Sequence, residues 1–219
     1  METIQEKPET LTFAKKLKFS TRTNHDSVDQ LVMQSAPFLN NINYAKFLRL
    51  QHIFHLSVAP FYQNDVLQDW FPGLADLPRL SAVESDLKDL GLEPNVSSYQ
   101  LATVSNLFQA IGWLYCAEGS NIGAAFLYKE TQKLNFDAEH GAKHLAAHPE
   151  GRAPHWRKFV AQLDALNLTE EQESEAVKGA TEAFAFYKKT LISLEESEAV
   201  KGATEAFAFY KKTLISLED

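Results

Sequence analysis

Lys18, Arg22 and His25 stand close together near the N-terminus and combine two cations with a metal-ligating imidazole. Their spacing of four and three residues would place them along one face of a helix. A histidine is a suitable axial ligand for haem iron, and cations one and two turns away would pair with the two propionates. Taken alone, a single histidine is more often a surface or core residue, so this pattern depends on support from the rest of the chain.

A second segment runs from Gly112 to Ala125 and carries three glycines in a helical pattern. Glycine within a helix costs about 1 kcal/mol relative to alanine, so a compensating role is expected. Gly119 and Gly123 are one turn apart on a face that Ala124 keeps almost free of side chains. A flat ligand could approach the backbone there, and the helix could kink. Close packing against small residues of another helix explains the same spacing, and both interpretations stay open.

Helical periodicity extends over nearly the whole chain and would position both segments. Apolar residues recur at steps of three and four, and no alternating strand pattern of useful length occurs. Ser97 or Ser98 is a candidate N-cap for the long helix that carries the glycines. The sequence therefore predicts an all-α fold, with helices over residues 11–35, 42–62, 81–90, 99–134, 139–147, 154–166 and 170–194.

The composition narrows the class of partner. The net charge of −8 disfavours binding to nucleic acid and to anionic membranes. One cysteine, Cys116, allows neither an intramolecular disulfide nor a thiolate cluster, and no C-x-x-C-H sequence for covalent haem attachment occurs. The polar N-terminal segment is unlike a signal peptide, and no apolar run approaches the roughly 20 residues of a membrane span. We expect a cytoplasmic protein without nucleic-acid or membrane partners.

The C-terminal segment contains an internal repeat. Residues 173–195 read ESEAVKGATEAFAFYKKTLISLE, and residues 196–218 repeat them without a change. Two units are fewer than a solenoid needs. A shift of this length rotates a straight helix by roughly 140° beyond whole turns, so the apolar stripe of the second copy would not continue that of the first. We predict a domain over residues 1–195, with the first copy in its core, and an appendage over residues 196–219 that projects or packs elsewhere.

The two chemical segments together resemble the haem oxygenase family, specifically its soluble bacterial members. The most specific part is E-G-S-N-I-G-A-A-F-L-Y-K at residues 118–129, about 90 residues after His25. The sequences WRKF at 156–159 and TEAF at 181–184 extend the resemblance, which spans residues 10–195. It implies an all-α bundle that holds haem between a proximal helix and a kinked distal helix.

The resemblance also implies a role for each candidate residue. His25 corresponds to the proximal iron ligand, and Gly119 and Gly123 correspond to the distal glycines that lie against the haem. Ser120 and Asn121 follow the first distal glycine, where many members have an aspartate that anchors water. Which groups organise distal water in this chain is therefore open. For the other side chains the resemblance implies two kinds of contact. Phe184 would pack against the porphyrin. The propionates would be held by Lys18, Arg22, Tyr115, Lys129 and Arg157.

The implied reaction is oxidative cleavage of haem, which is both cofactor and substrate, to biliverdin, carbon monoxide and ferrous iron for iron acquisition. Electrons would come from a separate reductase or ferredoxin, because the chain has no glycine fingerprint for a flavin or nicotinamide nucleotide. Some bacterial relatives with Asn and Phe at the positions of Lys18 and Tyr115 rotate the haem and favour other meso carbons. The Lys18 and Tyr115 pair leads us to expect α-meso cleavage.

Other features of the sequence bear on three further interpretations. Successive spacings of four residues would place His140, His144 and His148 in a stripe along one helix, which Pro149 ends. Such a stripe could bind zinc or nickel but is more typical of a solvated face. A ferritin-like di-iron bundle needs Glu-x-x-His pairs, and no glutamate of this chain has a histidine three residues later. A haem or bilin carrier with the same fold stays an alternative to the enzyme.

Overall fold

The structure, a computed structural model, describes residues 11–93 and 96–215, with the backbone alone for residues 198–215. The helices are α1 (Phe13–Gln34), α2 (Asn41–Tyr62), α3 (Asp65–Trp70), α4 (Leu80–Asp89), α5 (Leu107–Thr131), α6 (Arg152–Asp164) and α7 (Glu170–Ile215). Short 3-10 turns lie between several of them, and the described residues contain no strand. The predicted all-α fold is confirmed. None of the described helices has the length and apolar character that crossing a membrane requires.

Side-chain caps explain where the site-bearing helices begin. The side chain of Thr12 accepts a hydrogen bond at the start of α1, and that of Asn40 does so at the start of α2. The predicted start of the glycine helix at Tyr99 is wrong. The Asn106 side chain accepts from the backbone N–H of Gln109 at 2.9 Å, so α5 begins at Leu107. Residues 96–98 form only a 3-10 turn.

The helices α5 and α7 form the centre of the bundle, and α7 also packs against α1 and α2. Small residues allow the backbones of α5 and α7 to approach closely. A Cβ on Gly112 would lie 2.0 Å from the carbonyl oxygen of Ala176, and one on Gly179 would lie 2.1 Å from that of Gln109. The buried Leu17 and Leu114 belong to the same core cluster, so α1, α5 and α7 share one core.

The helix predicted over residues 139–147 does not form. Asp137 pairs with Gly141, whose φ is +76°, and only Lys143–Leu145 form a 3-10 turn. The Asp86 carboxylate accepts hydrogen bonds from the backbone N–H groups of Lys143 and His144, at 2.8 and 2.9 Å. Because a side chain from α4 binds these donors, this segment is fixed as a loop.

The three histidines of this loop consequently form no stripe, either solvated or metal-binding. His140 is exposed. His144 is buried, with Nδ1 2.6 Å from Asp86 Oδ2. His148 instead stacks on His155 of α6, with ring centroids 4.6 Å apart. Among the described residues, no group of three or more His, Cys, Asp or Glu side chains is placed to hold a metal ion.

The repeat continues α7 as one helix. Its backbone is helical through the first copy and on to Ile215 in the second, a length of about 69 Å at 1.5 Å per residue. The first copy supplies the core residues Ala176, Ala180 and Ala183. Side chains from residue 198 and all of residues 216–219 lie outside the described part, so the division at 195/196 stays a prediction.

Candidate functional site

The exposed face of α1 carries the predicted iron ligand. The helix buries Leu17 and Thr21, which turns Lys18, Arg22 and His25 outward, where all three are exposed. The imidazole of His25 is 58% exposed, and its Nδ1 lies 3.3 Å from Asp29 Oδ2. A histidine with this exposure is available to a ligand that approaches α1 from outside the core.

Asp29 is a candidate site residue that the sequence alone did not single out, although its i+4 spacing from His25 was a usable signal. Metal-binding histidines commonly donate the second ring N–H to a carboxylate, which fixes the tautomer and orients the ring. With Nδ1 facing Asp29, the other nitrogen, Nε2, is left to bind a metal. The pair has the donor chemistry that haem iron requires.

The glycines of α5 divide into two kinds. A Cβ on Gly112 would collide with the α7 backbone, so Gly112 serves helix packing. A Cβ on Gly123 would meet no heavy atom within 4 Å, and one on Gly119 would meet only the Trp156 ring, at 3.4 Å. Close helix packing, the alternative left open by the sequence, therefore explains Gly112 but does not explain Gly123, whose backbone faces open space. Gly119 lies against the Trp156 ring of α6 and against no helix backbone.

Contacts with α7 show how His25 of α1 and the glycines of α5 are placed along the axis of the bundle. It runs parallel to α5, and Cys116 Sγ lies 3.5 Å from the carbonyl oxygen of Ala180. One turn further along the two helices are Ser120 and Phe184. The Phe184 ring packs edge-on against His25, with centroids 5.9 Å apart. The imidazole of α1 and the glycine segment of α5 therefore lie at the same level of the bundle.

Large apolar side chains are exposed on α5 beside the glycines. Ile122 and Phe126 are 42% and 53% exposed, and their spacing places them on the same face of the helix as Gly119. Grouped exposed apolar side chains are typical of a binding surface. A flat apolar ligand on this face of α5 would cover both. Phe19 on α1 is 61% exposed but lies about a third of a turn away from His25.

The cationic side chains predicted to contact the propionates are all exposed to solvent. Lys18, Arg22, Lys129 and Arg157 are exposed on three different helices. Lys16, by contrast, is paired with Glu173 of α7 at 2.5 Å.

Tyr115 is half-buried on α5, one turn before Gly119, and its ring lies 5.5 Å from that of Trp156. Burial, with a smaller contribution from Cys116, raises the pKa of its phenol to about 12. The hydroxyl therefore stays protonated at neutral pH and can donate a hydrogen bond to an anionic group.

Ser120 and Asn121 take different positions from each other. The hydroxyl of Ser120 donates to the carbonyl oxygen of Ala117 within α5, at 2.7 Å. Asn121 is buried, and its carbonyl oxygen accepts from Arg152 Nη1 at 2.8 Å. Arg152 thus connects the start of α6 to the glycine segment. Ser120 remains exposed beside Gly119.

A buried polar cluster directly behind the glycine segment was not anticipated from the sequence. Tyr62 donates to Glu118 Oε1 at 2.5 Å, and His155 Nε2 lies 2.7 Å from Glu118 Oε2. Burial and the neighbouring Glu118 charge raise the pKa of Tyr62 well above its usual value. The signal in the sequence was a glutamate within an otherwise apolar and small-residue helix. This cluster fixes the orientation of α5 where the glycines occur.

The chain is similar in sequence and fold to known proteins. The family model described as Heme oxygenase matches residues 11–193. The chain is 41% identical over 173 residues to Heme oxygenase PigA of Pseudomonas aeruginosa, across 78% of this chain and 87% of that protein. It is 54% identical to the NO- and CO-bound heme oxygenase from Neisseria meningitidis, with a TM-score of 0.78, across 84% of this chain and 92% of that one. Heme oxygenase-1 of the cyanobacterium Synechocystis, solved in complex with heme, shares the fold at 15% identity, with a TM-score of 0.69 across 91% of this chain and all of that chain.

Proposed function

The chain belongs to the haem oxygenase family, and from that premise we propose that it cleaves haem at the α-meso carbon to biliverdin, carbon monoxide and ferrous iron. Haem is both the substrate and the cofactor in this family, and it supplies the iron that binds oxygen as well as the carbon that is oxidised. The released iron would serve iron acquisition. His25 is assigned as the axial ligand, through Nε2.

One observation carries the assignment of the site. At the level of His25, Gly123 presents its backbone to open space and Gly119 faces only the Trp156 ring, whereas Gly112 of the same helix is packed against the α7 backbone. A helix that bears the cost of two glycines without packing them against another helix backbone needs another reason for them. Close approach of a planar ligand is such a reason, and His25 on α1 would supply its iron ligand.

The side chains around the site would bind and orient the ligand. Asp29 would orient the His25 ring through the contact between its carboxylate and Nδ1. Phe184 supports the same ring edge-on and offers an apolar surface to the porphyrin. The bare backbone of α5 would let a planar ligand approach closely, and contact with that backbone would position the reacting carbon. The kink expected in α5 remains part of the proposal, and Ser120 is the exposed hydroxyl available to distal water.

The choice of the α carbon rests on how the propionates are held. Lys18 on α1 and the protonated Tyr115 hydroxyl on α5 supply an ammonium and a phenol on opposite helices. Arg22, Lys129 and Arg157 are the further contacts proposed. Together they would favour the rotation of the haem in its plane that presents the α carbon to the glycine segment.

Electrons must come from a separate donor, a reductase or a ferredoxin. The described residues form helices without the parallel sheet that binds dinucleotides. The single cysteine fits a reducing compartment, and we assign the reaction to the cytoplasm, without a nucleic-acid or membrane partner.

Haem titration followed by turnover tests the proposal. His140 provides a matched control for His25, because its side chain is 56% exposed and its Nδ1 lies 3.7 Å from a carboxylate oxygen of Asp89. We expect the wild type and His140→Ala to bind one haem with an axial-imidazole spectrum. With ascorbate and oxygen they should lose the Soret band and gain bilin absorbance, and chromatography should identify the α isomer.

His25→Ala should lose both the spectrum and the turnover, and free imidazole should restore the spectrum. An unchanged axial-imidazole spectrum in His25→Ala would reject this ligand. A wild-type Soret band that persists with reductant and oxygen would instead indicate a carrier.

A further inference from the structure

The first copy of the repeat (residues 173–195) occupies a narrow groove formed by α1, α2 and α5. Gly179 and the buried Ala176, Ala180 and Ala183 face this groove. At Gly179 even a Cβ would lie 2.1 Å from the carbonyl oxygen of Gln109. The groove therefore selects for a helix that has small residues at these positions.

Polar contacts fix the register of the first copy along its whole length. Near its start, Lys16 Nζ lies 2.5 Å from Glu173, and the Gln109 side chain donates to Glu175 at 2.7 Å. At its end, Lys46 Nζ lies 3.0 Å from Glu195. Every one of these acidic partners belongs to the first copy.

The second copy (residues 196–218) carries the same residue at each of these positions. Gly202 corresponds to Gly179, and Glu196, Glu198 and Glu218 correspond to the three acidic partners. We propose that the groove binds either copy, so that the second copy can replace the first as the C-terminal helix of the same fold.

Chain connectivity decides which copy occupies the groove. Five residues, 165–169, link α6 to α7, and the exchange would lengthen this link by the 23 residues of the first copy. The free-energy cost of closing a loop grows with the logarithm of its length, with a prefactor of three halves of RT. The shorter link therefore favours the state with the first copy in the groove over the exchanged state by about tenfold. The exchanged form is thus a minor state, populated in about one molecule in ten.

The exchange also preserves the region around His25. Phe184 packs edge-on against the imidazole, and Phe207 holds the same place in the second copy. A chain whose first copy is damaged would therefore keep the aromatic neighbour of His25. This inference concerns the fold and is independent of the proposed reaction.

The experiment compares Gly179→Leu, Gly202→Leu and the double variant in the full-length chain. Leucine at 179 cannot fit against Gln109, so the second copy should enter the groove, and the folding equilibrium constant should fall by only about tenfold. Gly202→Leu should be as stable as the wild type. The double variant has no copy that fits, and its folding equilibrium constant should fall by about a further hundredfold.

Hydrogen exchange read by mass spectrometry identifies the occupant directly, because the leucine gives the two copies different masses. In Gly179→Leu, amides of residues 199–210 should be protected and those of 176–187 should exchange rapidly, which is the reverse of Gly202→Leu. If the amides of the first copy stay protected in Gly179→Leu, the proposal is wrong, whatever the stability of that variant. It is also wrong if Gly179→Leu is as unstable as the double variant.

Discussion

His155 Nε2 lies 2.7 Å from Glu118 Oε2, and both side chains are buried. The other carboxylate oxygen of Glu118 accepts from the Tyr62 hydroxyl at 2.5 Å. Since Glu118 directly precedes Gly119, this cluster joins α2 and α6 to the glycine segment of α5. A buried acid with both oxygens bonded holds the backbone that we assign to the haem face.

Glu118→Ala should therefore be strongly destabilising. The substitution leaves the Tyr62 hydroxyl and the His155 imidazole buried without their acceptor, and each such group costs about 1–3 kcal/mol. We expect the free energy of unfolding to fall by about 3–5 kcal/mol, measured by urea denaturation of the haem-free protein. Glu130→Ala is the control on the same helix, because Glu130 pairs with Lys133 at the surface and its loss should cost at most about 1 kcal/mol. Equal effects of the two substitutions would show that the buried cluster is not structural.

Local patterns predicted the elements that depend on local interactions. Apolar periodicity placed α1 and α2 within two residues of their observed ends. It failed where a side chain from elsewhere binds the backbone, as Asp86 does at Lys143 and His144. The competing carboxylate removes the donors that an α-helix would use, and no local pattern reveals it.

The same distinction applies to the candidate site. The spacing of Lys18, Arg22 and His25, and the pair Gly119 and Gly123, follow from the helix repeat and were visible in the sequence. The bonds of Glu118 join residues 56 and 37 positions away along the chain. Such contacts depend on how α2, α5 and α6 pack, so the cluster became visible only in the structure.

The stability of the protein should fall in acid because of His55. Burial lowers the pKa of His55 to about 3, with smaller contributions from the charges of His144, Arg79 and His52. The unfolded chain takes up a proton near pH 6.5 whereas the folded chain does not. The stability contributed by neutral His55 is thus complete above pH 6.5 and is lost progressively between pH 6.5 and about 3, at up to about 1.4 kcal/mol per pH unit.

His55→Gln removes this titration, and urea denaturation at pH 7, 6 and 5 should show a shallower pH dependence than that of the wild type. The pKa values of His52 and His148 are also lowered, chiefly by burial, so part of the acid sensitivity should remain. Gln30→Ala, a substitution at an exposed amide on α1 that does not titrate, is the control and should leave the slope unchanged. Identical slopes in wild type and His55→Gln would contradict the assignment.

Gly123→Ala should separate stability from haem binding. Its Cβ enters open space, and alanine favours the helix, so the haem-free protein should gain up to about 1 kcal/mol. The same methyl group occupies the surface that we assign to the haem, and binding should weaken by about 1–3 kcal/mol. Thermal unfolding and haem titration of one preparation measure both effects.

Gly112→Ala is the matched comparison within α5. Its Cβ would lie 2.0 Å from the Ala176 carbonyl oxygen, so we expect a loss of about 3 kcal/mol or more in the haem-free protein. Unchanged haem affinity in Gly123→Ala would place the ligand away from the glycine segment.

The double variant Lys18→Asn with Tyr115→Phe should change which meso carbon is cleaved. Without the ammonium and the phenol, the propionates lose two contacts, worth together about 1 kcal/mol at exposed positions. The ratio of α to non-α biliverdin should then fall about fivefold, as measured by chromatography of the product. The control is the double variant Lys133→Asn with Tyr128→Phe, at the end of α5 and in the turn that follows it. These side chains have partners within the protein, because Lys133 pairs with Glu130 and the Tyr128 hydroxyl accepts from the Ala138 N–H. A wild type that yields mainly the β or δ isomer would refute α cleavage, and an unchanged ratio in the double variant would remove Lys18 and Tyr115 from the control of regiochemistry.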